Sequence, residues 1–206
     1  MKFTKKDFVF SVITGLIAGF IGWRVLEFLG TPIFLGMNVS WLVLIIPILW
    51  IFGVNLGYFL GRWVAFFNQF GKYVAVGFTN FAVDIGVLNL LFALSGHSTG
   101  NWFTSFKTVS VIVALLTSYM WNKYWAFNAS QSGEGGKEFA KFIAVTALAL
   151  IVNTATASFV ARFIGPQFGL DAKAWGTIAS IVGSAVSLVF SFVGYKLAVF
   201  KKSATS

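Results

Sequence analysis

The chain has 206 residues, 58% of them hydrophobic and 10% charged, with a net charge of +9. A soluble domain carries about 25% charged residues, so an ordinary water-soluble fold is excluded and the whole chain reads as one integral membrane unit. With no cysteine, disulfides, thiolate chemistry and Cys-based metal sites are excluded as well.

Crossing a bilayer takes about 20 apolar residues, and six stretches are long enough: 8–29, 40–61, 73–95, 108–126, 142–164 and 176–199. The first follows Lys2, Lys5 and Lys6 but is too long for a signal peptide and lacks a small-residue cleavage site, so it is predicted to be a retained helix. Arg24 and Glu27, three residues apart near its far end, are expected to pair. In the second stretch Pro47 should bend the helix. After it, Trp63, Phe66, Phe67 and Phe70 fall on one helical face. That pattern fits a short helix lying in the interface and equally a continuation of the second span with an aromatic belt.

From residue 66 onward the chain repeats itself. Phe70-Gly71-Lys72-Tyr73-Val74-Ala75-Val76 returns as Phe139-Ala140-Lys141-Phe142-Ile143-Ala144-Val145, and Ser118, Lys123 and Phe127 return as Ser191, Lys196 and Phe200. A segment that crosses twice ends on the side where it began, so the two copies are expected to lie in parallel, one of the ways transporters are built. The predicted architecture is therefore an all-α integral membrane protein of six transmembrane helices, the last four forming two parallel two-helix repeats. Its parts are an N-terminal two-helix extension, 1–64, and a four-helix unit, 65–206, with repeat one at 66–130 and repeat two at 137–202. The stretch 128–138, rich in Ser and Gly, joins the repeats as a flexible linker.

Orientation follows from the basic residues. Lys2, Lys5, Lys6, Arg62, Lys72, Lys123, Lys137, Lys141, Lys196, Lys201 and Lys202 collect on one side, and Arg24, Lys107, Arg162 and Lys173 on the other. The positive-inside rule places the larger set, and both termini, in the cytoplasm. The lysines lie at the edges of apolar segments, which argues for topology and anionic head groups and against nucleic acid. The outer loops are then 30–39, 96–107 and 165–175, with His97 solvated in the second. Small residues at helical spacing mark helix contacts: Gly15 and Gly19; Gly53, Gly57 and Gly61; Gly183, Ser187 and Ser191.

Asp84 stands near the middle of the third span, where a carboxylate is expensive and marks a functional site by default. It could bind sugar hydroxyls, accept a proton or pair with a cation; structurally, it could join helices with help from Asn80 or Asn89. Asn153 is its counterpart, 69 residues on, the same offset that separates Lys72 from Lys141. Lys72, Lys123, Lys141 and Lys196 stand at the cytoplasmic boundary, where a compact ammonium suits a lipid phosphate and where plain topology also puts lysines. Asn122-Lys123-Tyr124-Trp125-Ala126-Phe127 brings amide, cation and aromatic faces to one interface. No metal-binding pattern, nucleophile elbow or phosphate loop is present, and the chain reads as a non-enzyme without cofactor or metal.

These residues resemble the GtrA-like family: 70–77 with Asp84 and the motif 118–127, then 139–145 with Asn153 and Tyr195-Lys196-Leu197-Ala198-Val199-Phe200. The resemblance covers 66–202. It implies a flippase that moves a polyprenyl-phosphate-linked monosaccharide from the cytoplasmic to the outer leaflet of the bacterial plasma (inner) membrane, for cell-envelope polysaccharide glycosylation. Under it, Lys72, Lys123, Lys141 and Lys196 would meet the phosphate, while Asp84, Asn80, Asn122, Asn153 and Trp125 would line the sugar path. The expected partners are the polyprenyl-phosphate sugar, membrane lipids and a glycosyltransferase, with a homodimer weighed beside a monomer. Two other classes stay open: a non-transporting scaffold that recruits a glycosyltransferase, and a small proton-coupled multidrug-type transporter.

Overall fold

The computed structural model describes residues 2–31, 33–34, 36–130, 135–167, 169 and 171–200. It has six long helices, each apolar enough to cross a membrane: α1 (Lys5–Phe28), α2 (Leu42–Leu60), α3 (Phe67–Ser95), α4 (Gly100–Trp121), α5 (Gly135–Phe159) and α6 (Ala172–Gly194). The fold is the expected all-α one; its only extended pairing among the described residues is a two-residue ladder, Ile33–Phe34 with Met37–Asn38, between α1 and α2. Large apolar side chains such as Phe52, Phe81, Leu94 and Leu150 stand exposed along the helices, as they do where the solvent is hydrocarbon.

All the long helices but α2 begin earlier than the apolar stretches that announce them. α3 starts at Phe67, α4 at Gly100 and α5 at Gly135, ahead of the expected 73, 108 and 142. Hydropathy reports what sits in hydrocarbon, whereas helix continues into polar first turns as long as the backbone bonds close. Three expectations change with this shift. Lys107, placed in an outer loop, lies two turns inside α4. Glu138, assigned to the linker, is a fully buried residue of α5. The segment after span two is neither an interfacial helix nor a continuation of α2: residues 61–63 and 65–66 turn, and α3 then starts at Phe67. Glu134, Lys201 and Lys202 fall outside the described residues.

The chain forms two compact units, residues 1–128 and 129–206. In the first, α1 lies against both α2 and α3, α2 against α3, and α4 against α3. Small residues permit this. A Cβ on Gly15 would run into the backbone of Pro47, one on Gly19 into Leu42, and one on Gly57 into the carbonyl of Phe67. α2 passes through Pro47 as one helix. At one end of the unit Val54, Tyr58, Ala75, Val76 and Trp125 form a core, with Phe3, Phe10, Trp50 and Trp121 around it. In the second unit α5 pairs with α6. There Gly183 lies against Asn153, and the Ser187 hydroxyl donates to the Ala149 carbonyl at 2.6 Å.

Both α4 and α6 end in a π-helical turn, Asn122–Ala126 and Tyr195–Val199, 73 residues apart. In the first unit Tyr73 then meets Phe127, ring centroids 6.1 Å apart; in the second Phe142 meets Phe200 at 6.3 Å. π-turns recur at functional positions, and these two carry Lys123 and Lys196.

Candidate functional site

The antiparallel course of α1 to α4 brings the start of α1, the end of α2, the start of α3 and the end of α4 to one end of the first unit, and a buried carboxylate collects them. Thr4 caps α1 through a reciprocal box with Asp7, as Ser or Thr followed three residues later by an acidic side chain does. Here the capping carboxylate is 3% exposed and serves more than the cap. Oδ2 accepts from the Thr4 N–H at 3.1 Å, the Thr4 hydroxyl at 2.8 Å and the Tyr58 hydroxyl at 2.9 Å. Oδ1 accepts from the Trp125 indole N–H at 3.2 Å and faces the Lys72 ammonium at 3.4 Å. Lys72 also donates to the Tyr58 hydroxyl at 3.3 Å, and Phe10 stacks on Trp125 at 5.8 Å.

Asp7 is a residue that sequence reasoning missed. It stands among Lys2, Lys5 and Lys6, where it looks like one more member of a charged, topology-setting end. The readable signal is the box Thr4-x-x-Asp7 ahead of an apolar run.

Farther along α3 a second group of polar contacts joins it to α4. Rising 1.5 Å per residue, Asn80 lies about 12 Å and Asp84 about 18 Å along the axis from Lys72. Asn80 accepts from the Thr117 hydroxyl at 3.4 Å. Asp84 pairs with Lys107 at 2.6 Å and accepts from Ser110 at 2.7 Å, so it has both a cation and a hydroxyl. Asn89 turns back to its own helix at the Ile85 carbonyl. In the second unit Asn153 donates to the Ser184 hydroxyl at 3.3 Å. The cation has no counterpart there: 107 plus 73 gives 180, a serine. Acid and base therefore stand together in the first unit, whereas Asn153 and Ser180, the residues at the repeat spacing read from the sequence, are both neutral.

The four repeat lysines divide. Lys72 and Lys123 are each 8% exposed, with Lys123 donating to the Tyr119 hydroxyl at 3.3 Å. Lys141 and Lys196 are exposed, the latter with its ammonium 5.8 Å from the Phe192 ring centroid. Trp125 is 1% exposed and committed to Asp7. Asn122 is also buried; its amide donates to Ser118 while its carbonyl oxygen has no partner among the described residues. Arg24 and Glu27 pair as expected, at 2.6 Å. His97 is exposed and stacks on Trp102. No group of three potential metal ligands occurs among the described residues.

No curated protein and no solved structure matches the chain. The family model described as GtrA/DPMS, transmembrane domain, matches residues 72–203, which takes in most of α3, all of α4 to α6, the four repeat lysines, Asn80, Asp84, Lys107, Asn122 and Asn153, but not Asp7 or the Arg24–Glu27 pair. The resemblance read from the repeated motifs is borne out: the chain belongs to the GtrA/DPMS transmembrane-domain family, multi-pass membrane proteins linked to lipid-linked sugar translocation or glycosylation.

Proposed function

We propose that the protein is a flippase for a polyprenyl-phosphate-linked monosaccharide, carrying it from the cytoplasmic to the outer leaflet of a bacterial inner membrane for glycosylation of envelope polysaccharide. The family match over residues 72–203 carries this reading. The chemistry of the matched segment supports it. A sugar phosphate faces about 30 Å of hydrocarbon in which each unsatisfied polar group costs several kcal/mol. The contacts Asn80–Thr117 and Asp84–Lys107–Ser110 set amide, hydroxyl and charged groups along α3, while the prenyl tail would stay in lipid. The positive-inside rule puts Lys72, Lys123, Lys141 and Lys196 at the cytoplasmic boundary, where compact charges suit a lipid phosphate. The protein acts here as a carrier, not an enzyme, working with a glycosyltransferase that uses the lipid-linked sugar on the far side.

The test is reconstitution. Proteoliposomes holding the folded chain should move a labelled polyprenyl-phosphate sugar to the opposite leaflet faster than empty vesicles. Equal rates would sink the transport reading. Co-purification of a glycosyltransferase without flipping would favour the scaffold in its place.

A further inference from the structure

The groups around Asp7 are all donors: the Thr4 N–H and hydroxyl, the Tyr58 hydroxyl, the Trp125 N–H and the Lys72 ammonium. Such a set, contributed by four helix ends and buried away from water, is what an oxyanion requires. In this structure the oxyanion is the protein's own. We propose that this cradle is a binding site for the phosphate of a lipid head group, and that Asp7 holds it closed as a tethered competing anion. The proposal rests on the reading of the lysines as phosphate ligands. It adds Tyr58 and Trp125 as donors and names the group that must leave.

The distances distinguish this carboxylate from those of Glu27 and Asp84. Arg24–Glu27 and Lys107–Asp84 each close to 2.6 Å, whereas Lys72 stands 3.4 Å from Asp7 and divides itself with the Tyr58 hydroxyl at 3.3 Å. A charge-assisted N–H···O bond is ordinarily about 2.7–2.9 Å, so Lys72 is held near Asp7 without being locked to it. Asp7 also belongs to the first turn of α1, and terminal turns open at little cost compared with a helix interior. Unwinding that one turn removes the carboxylate together with the two Thr4 donors and leaves Tyr58, Lys72 and Trp125, on three other segments, as the donors for the phosphate. Through its connection to α1 and α2, the site draws on two helices that lie outside the family-matched segment.

A site occupied most of the time by its own carboxylate binds a ligand more weakly by the fraction that is open. Purified full-length protein would be titrated with farnesyl phosphate, with farnesol and inorganic phosphate as competitors. Asp7→Asn should bind farnesyl phosphate about tenfold more tightly than the parent, corresponding to an open fraction of about one tenth. Adding Lys72→Gln to that variant should abolish the gain. If Asp7→Asn fails to fold, judged by helical circular dichroism and a monodisperse elution, Asp7→Ser takes its place with the same expectation. An unchanged or weaker affinity in the folded variant overturns the proposal, as does a gain that survives Lys72→Gln. Farnesol competing as well as farnesyl phosphate overturns it too, because no phosphate is then recognised. Inorganic phosphate competing as well as the prenyl phosphate overturns the lipid assignment. Flipping that fails while the Asp7→Asn gain persists would sink the transport reading alone; flipping that persists without the gain would sink this one alone.

Discussion

Asp84 shows how one side chain changes meaning when its neighbours are known. Alone in an apolar span, a carboxylate points to function; bonded to Lys107 and Ser110, it also joins α3 to α4. The two roles separate experimentally. Asp84→Asn and Lys107→Gln should each destabilise the protein, and the double variant should recover part of the loss. We expect a coupling of about 1 kcal/mol, the scale of interhelical polar contacts in membranes, read by denaturant titration in detergent. Strict additivity would show that the pair contributes nothing. Flipping measured in the Lys107→Gln background then asks whether Asp84 acts in transport beyond its bond: a further fall on adding Asp84→Asn says that it does. Of this pair only the acid was legible in the sequence. Lys107 lies beyond the apolar window of its helix, and a residue outside hydrocarbon looks like a loop residue until the helix is seen to run past it.

Helices were the most legible level. Six apolar stretches gave six helices, because the thickness of the bilayer leaves little freedom in the length of an apolar run. Their ends were less legible, since capping, π-turns and polar first turns obey backbone bonding and not hydropathy. Small residues marked contacts within the first unit at Gly15 and Gly19, which admit α2, and at Gly57, but Gly53, expected to mark one too, has open space at its Cβ position. Gly15→Leu should therefore force α1 and α2 apart and cost about 1–3 kcal/mol, the usual range for overpacking, with a lower midpoint in thermal unfolding. A methyl group added at Gly53 would meet nothing within 4 Å, so Gly53→Ala should leave the midpoint unchanged or raise it slightly through helix propensity. Equal effects at the two positions would refute the contact between α1 and α2.

For the molecule as a whole, the basic residues supply the expectation about sidedness. Both termini and the 128–138 stretch are placed on the cytoplasmic side by the positive-inside rule, and a chain without cysteine allows a clean check. Ser98→Cys should react with a membrane-impermeant maleimide in intact cells, and Ser130→Cys only after permeabilisation; both serines are exposed. Reversed labelling would overturn the orientation. The division into units was not legible. The sequence set the first two helices apart as an extension, because the repeat begins after them, yet they share a compact unit with α3 and α4. What binds them there is close approach at Gly15, Gly19 and Gly57, an apolar core and the polar contacts of Asp7, all between residues far apart in the chain, whereas a repeat relates only segments that resemble one another.

The cluster at Asp7 has a history as well as a geometry. Its carboxylate and its indole donor are separated by 118 positions, so in a chain made at about 5–20 residues per second the acid is synthesised roughly 6–24 s before Trp125. During that interval Asp7 has only its own cap at Thr4 and the neighbouring lysines. Tyr58 arrives next, then Lys72, and the indole last. α1 is thus made before α2, α3 and α4, yet its end is secured only when the ribosome has delivered α4 and the indole that follows it.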